Sequence, residues 1–222
     1  MLSNLKLDDS VKVEKPSDSL GGSYGVESGV YPMKITMVYL DKSSGGATSV
    51  NFAFEQVDNS KVTYKETIYI TNRKGEPTYK DRKTGDARPL PGYLLVNEIL
   101  MATCGKEIAE MEAKKATIKV WDGAARAEVK AEKDVIVDLI GSRVTLGIVK
   151  INDNKQVKGA DGTYVNDPTG ATRSSNEIKK AFRFEDDLTV AEIESGATEA
   201  VFKSKWSDKY TGITIDKATK IA

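Results

Sequence analysis

The chain has 222 residues, of which 39% are hydrophobic and 30% charged, a composition typical of one globular domain with a buried core. Its 33 basic residues balance its 33 acidic residues, which excludes a surface of one charge sign but allows a basic patch that is balanced elsewhere. Histidine is absent and Cys104 is the single cysteine. These counts exclude imidazole catalysis, an intrachain disulfide and a Cys/His zinc site.

No segment approaches the roughly 20 apolar residues that span a bilayer. The N-terminal run MLSNLKLDDS lacks the apolar region of a secretory signal. We therefore expect a cytoplasmic protein without a membrane partner. Residues 1–29 are polar and rich in glycine and serine, which is typical of a flexible N-terminal arm.

From residue 30 onward, apolar and polar residues alternate, which predicts strands. Three such segments, at 30–40, 48–57 and 61–71, are separated by short turn sequences. The predicted inward positions are Tyr31, Met33, Ile35, Met37 and Tyr39 in the first segment, Val50, Phe52 and Phe54 in the second, and Val62, Tyr64, Ile68 and Ile70 in the third. The pattern predicts a three-stranded meander with one apolar face.

A polar run of about 20 residues, NRKGEPTYKDRKTGDARPLPG, follows without a regular period, and loops of this length are usually functional or mobile. Residues 93–103 predict a helix closed by Gly105. Later in the chain the sequence predicts strands at 116–122, 127–132 and 142–152, short helical segments at 176–184 and 188–196, and a helix at 197–210.

Three meander strands, a helix and further strands follow the order of the OB-fold, a five-stranded Greek-key barrel whose second and third strands bind oligonucleotides. Other small barrels share this order, so the order alone leaves them open. We predict a mainly β protein with helices, built on an OB-fold core at 30–152. The flexible arm at 1–29 precedes this core, and an extension at 153–222, made of a loop and helices, packs on it.

The polar run after the third segment concentrates positive charge. Between Asn72 and Leu90, six cations stand against three acids. The cations are Arg73, Lys74, Lys80, Arg82, Lys83 and Arg88. Tyr79 lies among them, and Lys65 and Tyr69 are outward positions of the preceding strand. Proteins that bind single strands combine cations that follow phosphates with rings that stack on bases. A solvated loop of mixed charge is the alternative.

A second positive stretch runs from Arg143 to Arg183, with eight cations against four acids. It begins on a predicted strand and continues through a loop that could close over a bound strand. Its candidate contacts are Lys150, Lys155 and Lys158, and Lys34 is a further candidate on the outward face of the first strand. Ordinary surface lysines are the alternative interpretation.

A nuclease is the alternative from another functional class. Asp122, Glu128 and Lys130 lie on two neighbouring predicted strands, and in such sites carboxylates hold a divalent ion that activates water. However, Glu-x-Lys is a common tripeptide in a chain this rich in charge, and we interpret the two strands as scaffold.

Two C-terminal features also have structural and functional alternatives. The acidic residues between 185 and 194 suit a helix N-terminus, a metal site or a partner contact. Phe202, Trp206 and Tyr210 share one helix face. That face suits docking on the core, or contact with a partner or a second copy of the chain.

Long runs of the chain resemble a family of bacteriophage single-stranded DNA-binding proteins. The first runs are SGVYPMKITMVYLDKSSGGATSVNFAFE and YITNRKGEPTYKDRKTGDARPLPGYLLVNEILMATCGK. SRVTLGIVK, TRSSNEIKKAFRF and LTVAEIESGATEAVFKSKW are similar to the family's second half. The resemblance covers nearly the whole chain after residue 20. One departure is that many phage proteins of this function end in an acidic tail, whereas this chain ends KATKIA.

The resemblance implies an OB-fold that coats single-stranded DNA during phage replication and recombination, without catalysis, in the cytoplasm of the host cell. By position, it implies binding on the outward face of the second and third strands and on the loop YKDRKTGDAR.

We therefore predict a DNA-binding protein that is not an enzyme and needs no cofactor or metal. The predicted binding residues are Lys34, Lys65, Tyr69, Arg73, Lys74, Tyr79, Lys80, Arg82, Lys83, Arg88, Lys150, Lys155 and Lys158. Single-stranded DNA is the expected partner, and replication or recombination proteins and a second copy of the chain stay open. The alternatives are a metal-dependent phage recombination nuclease and a phage structural protein.

Overall fold

The structure is a computed structural model that describes residues 25–123, 125–159 and 163–219. Most of the predicted flexible arm at 1–29 therefore lies outside the described residues. The protein is mainly β, as predicted, with one large antiparallel sheet and few helices. Strands β1 (Gly29–Lys42), β2 (Thr48–Gln56) and β3 (Asn59–Tyr69) form the predicted meander.

The other elements, in chain order, are β4 (Thr78–Lys80), β5 (Ala87–Pro89), α1 (Pro91–Cys104), β6 (Lys114–Asp122), β7 (Ala127–Val135), β8 (Arg143–Asn154), β9 (Gln156–Lys158), β10 (Tyr164–Asn166), β11 (Thr172–Arg183), α2 (Val190–Glu194), α3 (Val201–Tyr210) and β12 (Thr214–Asp216). Among the described residues, no helix is long and apolar enough to cross a membrane.

Five long strands of the sheet follow the order β3-β2-β1-β8-β11, and every neighbouring pair is antiparallel. One edge of β1 serves two partners in turn. Residues Gly29 to Lys34 pair with β8, and Tyr39 and Leu40 pair with β7. Strand β7 forms a hairpin with β6, and β12 lies parallel to the end of β8.

The core lies between the inner face of this sheet and α1. Met33, Ile35 and Phe54 of the meander are fully buried, together with Ile99 and Leu100 of α1. Helix α1 begins at Pro91, two residues before the predicted start at 93, and ends at Cys104. Gly105, with its left-handed backbone, closes the helix as predicted. Most of the apolar alternation that predicted the meander is therefore used to build the core.

One part of the predicted alternation is wrong. Met33 and Ile35 point inward, but a β-bulge between Ile35 and Met37 shifts the rest of β1 by one residue. Val38 is therefore buried in the core, and Met37 and Tyr39 lie on the outer side of the sheet. The Thr36 hydroxyl donates a hydrogen bond of 3.0 Å to the Ala53 carbonyl at the bulge.

The helix predicted at 176–184 is also wrong, because this segment belongs to strand β11. Ile178 and Phe182 are four residues apart among lysines, which imitates an amphipathic helix. In the structure both faces of β11 are covered. Ile178 and Ala181 face the main core, and Phe182 faces a second cluster. A bulge between Ile178 and Lys180 produces this change of face.

The second cluster forms where α3 docks on β8. The Trp206 indole is buried against Gly147, packs at an angle on Phe182 and contacts Tyr210. A methyl group on Gly147 would lie only 2.8 Å from the indole, so the close approach needs a glycine. Trp206 and Tyr210 thus fit the docking alternative, while Phe202 lies exposed under Lys180.

The acidic residues between 185 and 194 include three that stabilise local structure. Asp186 pairs with Arg183, and Asp187 pairs with Lys203 of α3. Glu192 forms a capping box with Thr189 at the start of α2. Burial would raise the pKa of Glu192, but backbone and side-chain hydrogen bonds from Thr189 and a backbone bond from Phe202 outweigh it and hold the pKa low.

We expect Gly92→Ala to destabilise the fold by about 1–3 kcal/mol, because overpacking displaces close neighbours. A methyl group on Gly92 of α1 would lie 2.1 Å from the Tyr69 carbonyl oxygen at the end of β3. Gly123→Ala is the matched control, because its methyl group would meet no atom within 4 Å. Urea unfolding of both variants tests this, and equal stabilities would contradict the tight contact between α1 and β3.

Candidate nucleic-acid interface

The side of the meander opposite the core presents a regular set of side chains, which we call the outer face. The strand registers arrange it in four rows across β1, β2 and β3. The rows are Asp41–Ser49–Tyr69, Tyr39–Asn51–Thr67, Met37–Ala53–Lys65 and Lys34–Glu55–Thr63. The predicted residues Lys34, Lys65 and Tyr69 therefore share one surface.

In the middle of the outer face the side chains are short, and hydrogen bonds hold the polar ones in place. The β2 positions are Ser49, Asn51 and Ala53, which are small or short side chains. The Thr67 hydroxyl donates to the side-chain amide oxygen of Asn51 at 2.7 Å, and the side-chain amide N–H of Asn51 donates to the Ser49 hydroxyl at 3.2 Å. This floor lies between the rings of Tyr39 and Tyr69, and Tyr69 is 51% exposed.

Tyr39 was predicted to face the core and is therefore absent from the predicted binding residues. Partial burial, with a smaller contribution from the Asp41 carboxylate, raises the pKa of the Tyr39 hydroxyl, which therefore stays neutral at physiological pH. Val38 and Leu40 are apolar as well as Met37 and Tyr39. The core could therefore have taken either Met37 and Tyr39 or Val38 and Leu40. This ambiguity was the sign in the sequence that Tyr39 could lie on the side of the sheet away from the core.

Some cations on and beside the outer face form ion pairs with acidic residues. Lys34 is paired with Glu55 at 3.0 Å, and Lys133 of β7 is paired with Asp41 at 2.6 Å. Within the described part of the chain, no ion pair involves Lys65, which lies beside Ala53. Lys65 is therefore the outer-face cation that is free to meet a phosphate.

The polar run after β3 is more ordered than the predicted irregular loop. Asn72 organises its first turn, because its side-chain oxygen accepts backbone N–H groups of Lys74 and Glu76 at 2.8 and 3.1 Å. The Asn72 amide donates to the Glu76 carboxylate. Gly75 closes this turn with a left-handed backbone.

A small hairpin of β4 and β5 forms the second half of this run. Its turn is held by Asp81, whose carboxylate accepts the N–H groups of Lys83 and Thr84 and pairs with Arg88 at 3.1 Å. Tyr79 lies directly opposite Arg88 and is 40% exposed. In the described chain, Arg73, Lys74, Lys80, Arg82 and Lys83 take part in no ion pair.

Arg73 joins this run to the outer face. Its side chain lies against Gly45 in the β1–β2 turn, and its carbonyl oxygen would lie 2.9 Å from a methyl group on Gly46. An open cleft of about 490 Å³ lies between this turn, Tyr69 and Arg73. The structure thus brings together the outer face and the start of the cationic run.

The second predicted set of cations lies elsewhere. The β1–β2 turn follows Lys42, whereas β8 continues past Gly29 at the opposite end of β1. Lys150 is paired there with Glu27 at 2.6 Å, and Lys155 lies 4.0 Å from Asp167. Lys158 stands opposite the exposed Tyr164 in the hairpin of β9 and β10. The two predicted cation sets are therefore not brought together.

The residues weighed as a nuclease site do not converge. Strands β6 and β7 pair so that Trp121 opposes Glu128 and Asp122 opposes Ala127. Because neighbouring strand residues alternate in direction, Asp122 and Glu128 project to opposite faces of the hairpin. In the ranges that the structure describes, no group of three or more carboxylate or thiol side chains could hold a metal ion.

A partly buried carboxyl group, that of Glu66, lies between the two end strands of the sheet. The Ile178 N–H of β11 and the Tyr64 hydroxyl both donate to Glu66 of β3. Burial raises the pKa of Glu66, and Glu177 raises it further, while these two hydrogen bonds offset only part of the effect. Glu66 therefore joins β3 to β11 beside the start of α1.

A scan of protein-family models finds no match to this chain, and a search of curated proteins finds none.

We expect Glu66→Gln to flatten the pH dependence of stability. The folded-state pKa of Glu66 lies above its ordinary value of 4.5, so its stabilising contribution is complete below that value and is lost as the pH rises through the folded-state pKa. Urea unfolding should show a smaller loss of stability between about pH 4 and about pH 8 in the variant. Exposed Glu112→Gln controls for the loss of one carboxyl group, and parallel profiles for wild type and Glu66→Gln would contradict the argument.

Proposed function

We propose that this chain is a non-catalytic protein that binds single-stranded DNA on the outer face. The observation that carries the proposal is the floor of short side chains on β2 between the rings of Tyr39 and Tyr69. Exposed rings stack on bases with little sequence preference, and a duplex hides the base faces they need. Lys65, beside this floor and without a described ion pair, supplies a phosphate contact.

The cationic run extends this surface from the end of β3. Its first cation, Arg73, is fixed against the β1–β2 turn. Its two organised turns hold the backbone of Lys74 and Lys83 in place before a ligand arrives. A preordered loop loses less conformational entropy on binding, so the same phosphate contacts give a higher affinity.

An OB-type barrel is the finer fold that we propose within the mainly β class. In support, β3 and β11 run in the same direction at the two ends of the five-strand order, and the Glu66 carboxylate accepts a hydrogen bond from Ile178 across them. Helix α1 follows the third strand, as in that fold. On this assignment β8 and β11 are the fourth and fifth strands, and the outer face includes strands two and three, the oligonucleotide-binding face of OB-folds.

The same assignment gives the second cation set a role. The segment between the fourth and fifth strands is one of the two OB-fold loops that bind oligonucleotides. In this chain it contains Lys155 and Lys158 and the exposed ring of Tyr164. We infer that this segment contacts a part of the strand beyond the outer face.

The biological setting follows from the family resemblance. We propose that the protein coats and protects single-stranded DNA during phage replication and recombination, in the cytoplasm of the host cell. Replication and recombination proteins are then the expected protein partners. No observation favours a structural role in the virion, and the opposed directions of Asp122 and Glu128 weaken the nuclease alternative.

We expect tighter binding to single strands than to duplex of equal length, with an affinity that falls with salt. Four phosphate contacts at about −0.7 each predict a log–log slope of roughly −3. Removing two contacts by Arg82→Ala with Lys83→Ala should reduce the slope by about 1.4. Fluorescence anisotropy across a salt series measures these quantities.

The matched control for that pair is Lys205→Ala with Lys209→Ala, which removes two exposed charges from α3. Equal losses in both double variants would mean that overall charge, and not the cationic run, sets the affinity. Equal binding of duplex and single strand would contradict the stacking mechanism.

We expect Tyr39→Ala and Tyr69→Ala each to weaken binding by about 1–3 kcal/mol, because each removes a stacking surface. The salt slope should stay unchanged, since no charge is lost. Tyr39→Phe and Tyr69→Phe keep the ring and should bind like wild type. If the alanine variants also bind like wild type, the outer face is not the site.

A further inference from the structure

The hairpin of β6 and β7 projects from the sheet. Its strand β7 pairs with β1 only through Asp134 and Val135. Glu128, near the tip, lies seven residues before Val135, a distance of about 23 Å at about 3.3 Å per residue. Among the residues that the structure describes, the part of the hairpin nearest the tip is therefore paired only with itself.

One face of this hairpin presents an exposed aromatic ring close to two lysines. Trp121 is 64% exposed, although tryptophan is usually largely buried in folded proteins. Lys119 and Lys130 stand directly opposite each other on the same face. Like charges directly opposite on paired strands destabilise a sheet, and no ion pair joins either lysine to a residue that the structure describes.

The composition of this face indicates the kind of ligand. Beside the ring and the two lysines, this face carries Thr117, Glu128 directly opposite Trp121, and Glu132, which is paired with Lys115. Among the paired residues of the hairpin, the indole therefore has no apolar neighbour on this face. The apolar residues Ile118, Val120 and Val129 lie on the other face. A lone ring beside unpaired cations suits a nucleobase and its phosphate better than the apolar centre of a protein interface.

We propose that the hairpin tip is a second contact for single-stranded DNA, in which Trp121 stacks on a base and Lys119 and Lys130 bind the adjoining phosphates. This inference rests on the proposed function. The contact is separate from the outer face, because Trp121 lies on the hairpin face opposite Lys133, which pairs with Asp41 beside Tyr39. A bound strand therefore follows the hairpin beyond the sheet edge.

The two tryptophans make the proposal directly measurable. Trp121 is exposed, whereas Trp206 is 4% exposed under α3. Titration with a long oligothymidylate should quench the tryptophan emission of the wild type, because stacking perturbs the indole. In Trp121→Phe the remaining emission comes from Trp206 and should not change on titration, although binding by anisotropy persists. Trp121→Ala should weaken binding by about 5- to 160-fold.

The lysines are tested by the salt dependence. Lys119→Ala with Lys130→Ala should reduce the log–log slope by about 1.4. Lys115→Ala is the matched control on the same hairpin face, because Lys115 is already paired with Glu132 at 3.2 Å. Its slope should match that of the wild type. Emission of Trp206 and thermal unfolding confirm that each variant is folded.

The outcomes separate the two proposals. Binding by anisotropy without quenching, or quenching that persists in Trp121→Phe, overturns the hairpin contact and leaves the outer face in place. Absence of any binding to single strands by anisotropy overturns the proposed function itself. Quenching lost in Trp121→Phe, with a reduced slope in the double lysine variant, supports the hairpin contact.

Discussion

The bulge in β1 determines which side chains lie on the outer face and which build the core. A strand with uninterrupted alternation would bury Met37 and Tyr39 and expose Val38. The shift between Ile35 and Met37 reverses this for the second half of the strand, so Val38 fills the core and Tyr39 reaches the outer face. Beyond the bulge, the same edge of β1 exchanges β8 for β7, so the projecting hairpin begins beside Tyr39. The position of Tyr39 on the outer face therefore depends on one inserted residue.

The fold was predictable where one periodicity dominates. Strands β2 and β3 alternate cleanly, and α1 has a proline at its start and a glycine after its end. Strand β11 was not predictable in this way. Its second half has buried residues on both faces, and Ile178 and Phe182 lie at a spacing that also suits a helix. The pairing of this segment with β8, which is a tertiary interaction, makes it a strand and not a helix.

Most residues of the candidate site could be named from the sequence, but their ion pairs and exposure could not be predicted. The cations and Tyr69 followed from the sequence, because their positions on β3 and in the polar run are local properties. Which of these cations form ion pairs is not a local property of the sequence. Lys34 and Lys150 are paired with Glu55 and Glu27, which are distant in sequence. Trp121 was passed over because its strand alternates like ordinary scaffold, and its 64% exposure depends on the hairpin leaving the sheet.

The zero net charge of the chain is compatible with an anionic ligand because acids and cations are used differently. Asp81, Asp186 and Glu192 hold a turn, an arginine and a helix start, so much of their charge is satisfied within the fold. Lys65 and Arg73 lie at a surface without described ion pairs. Since the potential of an exposed charge falls off within about 8–10 Å at physiological salt, a bound strand responds to these nearby cations. Acids engaged elsewhere in the molecule contribute little to the field at the outer face.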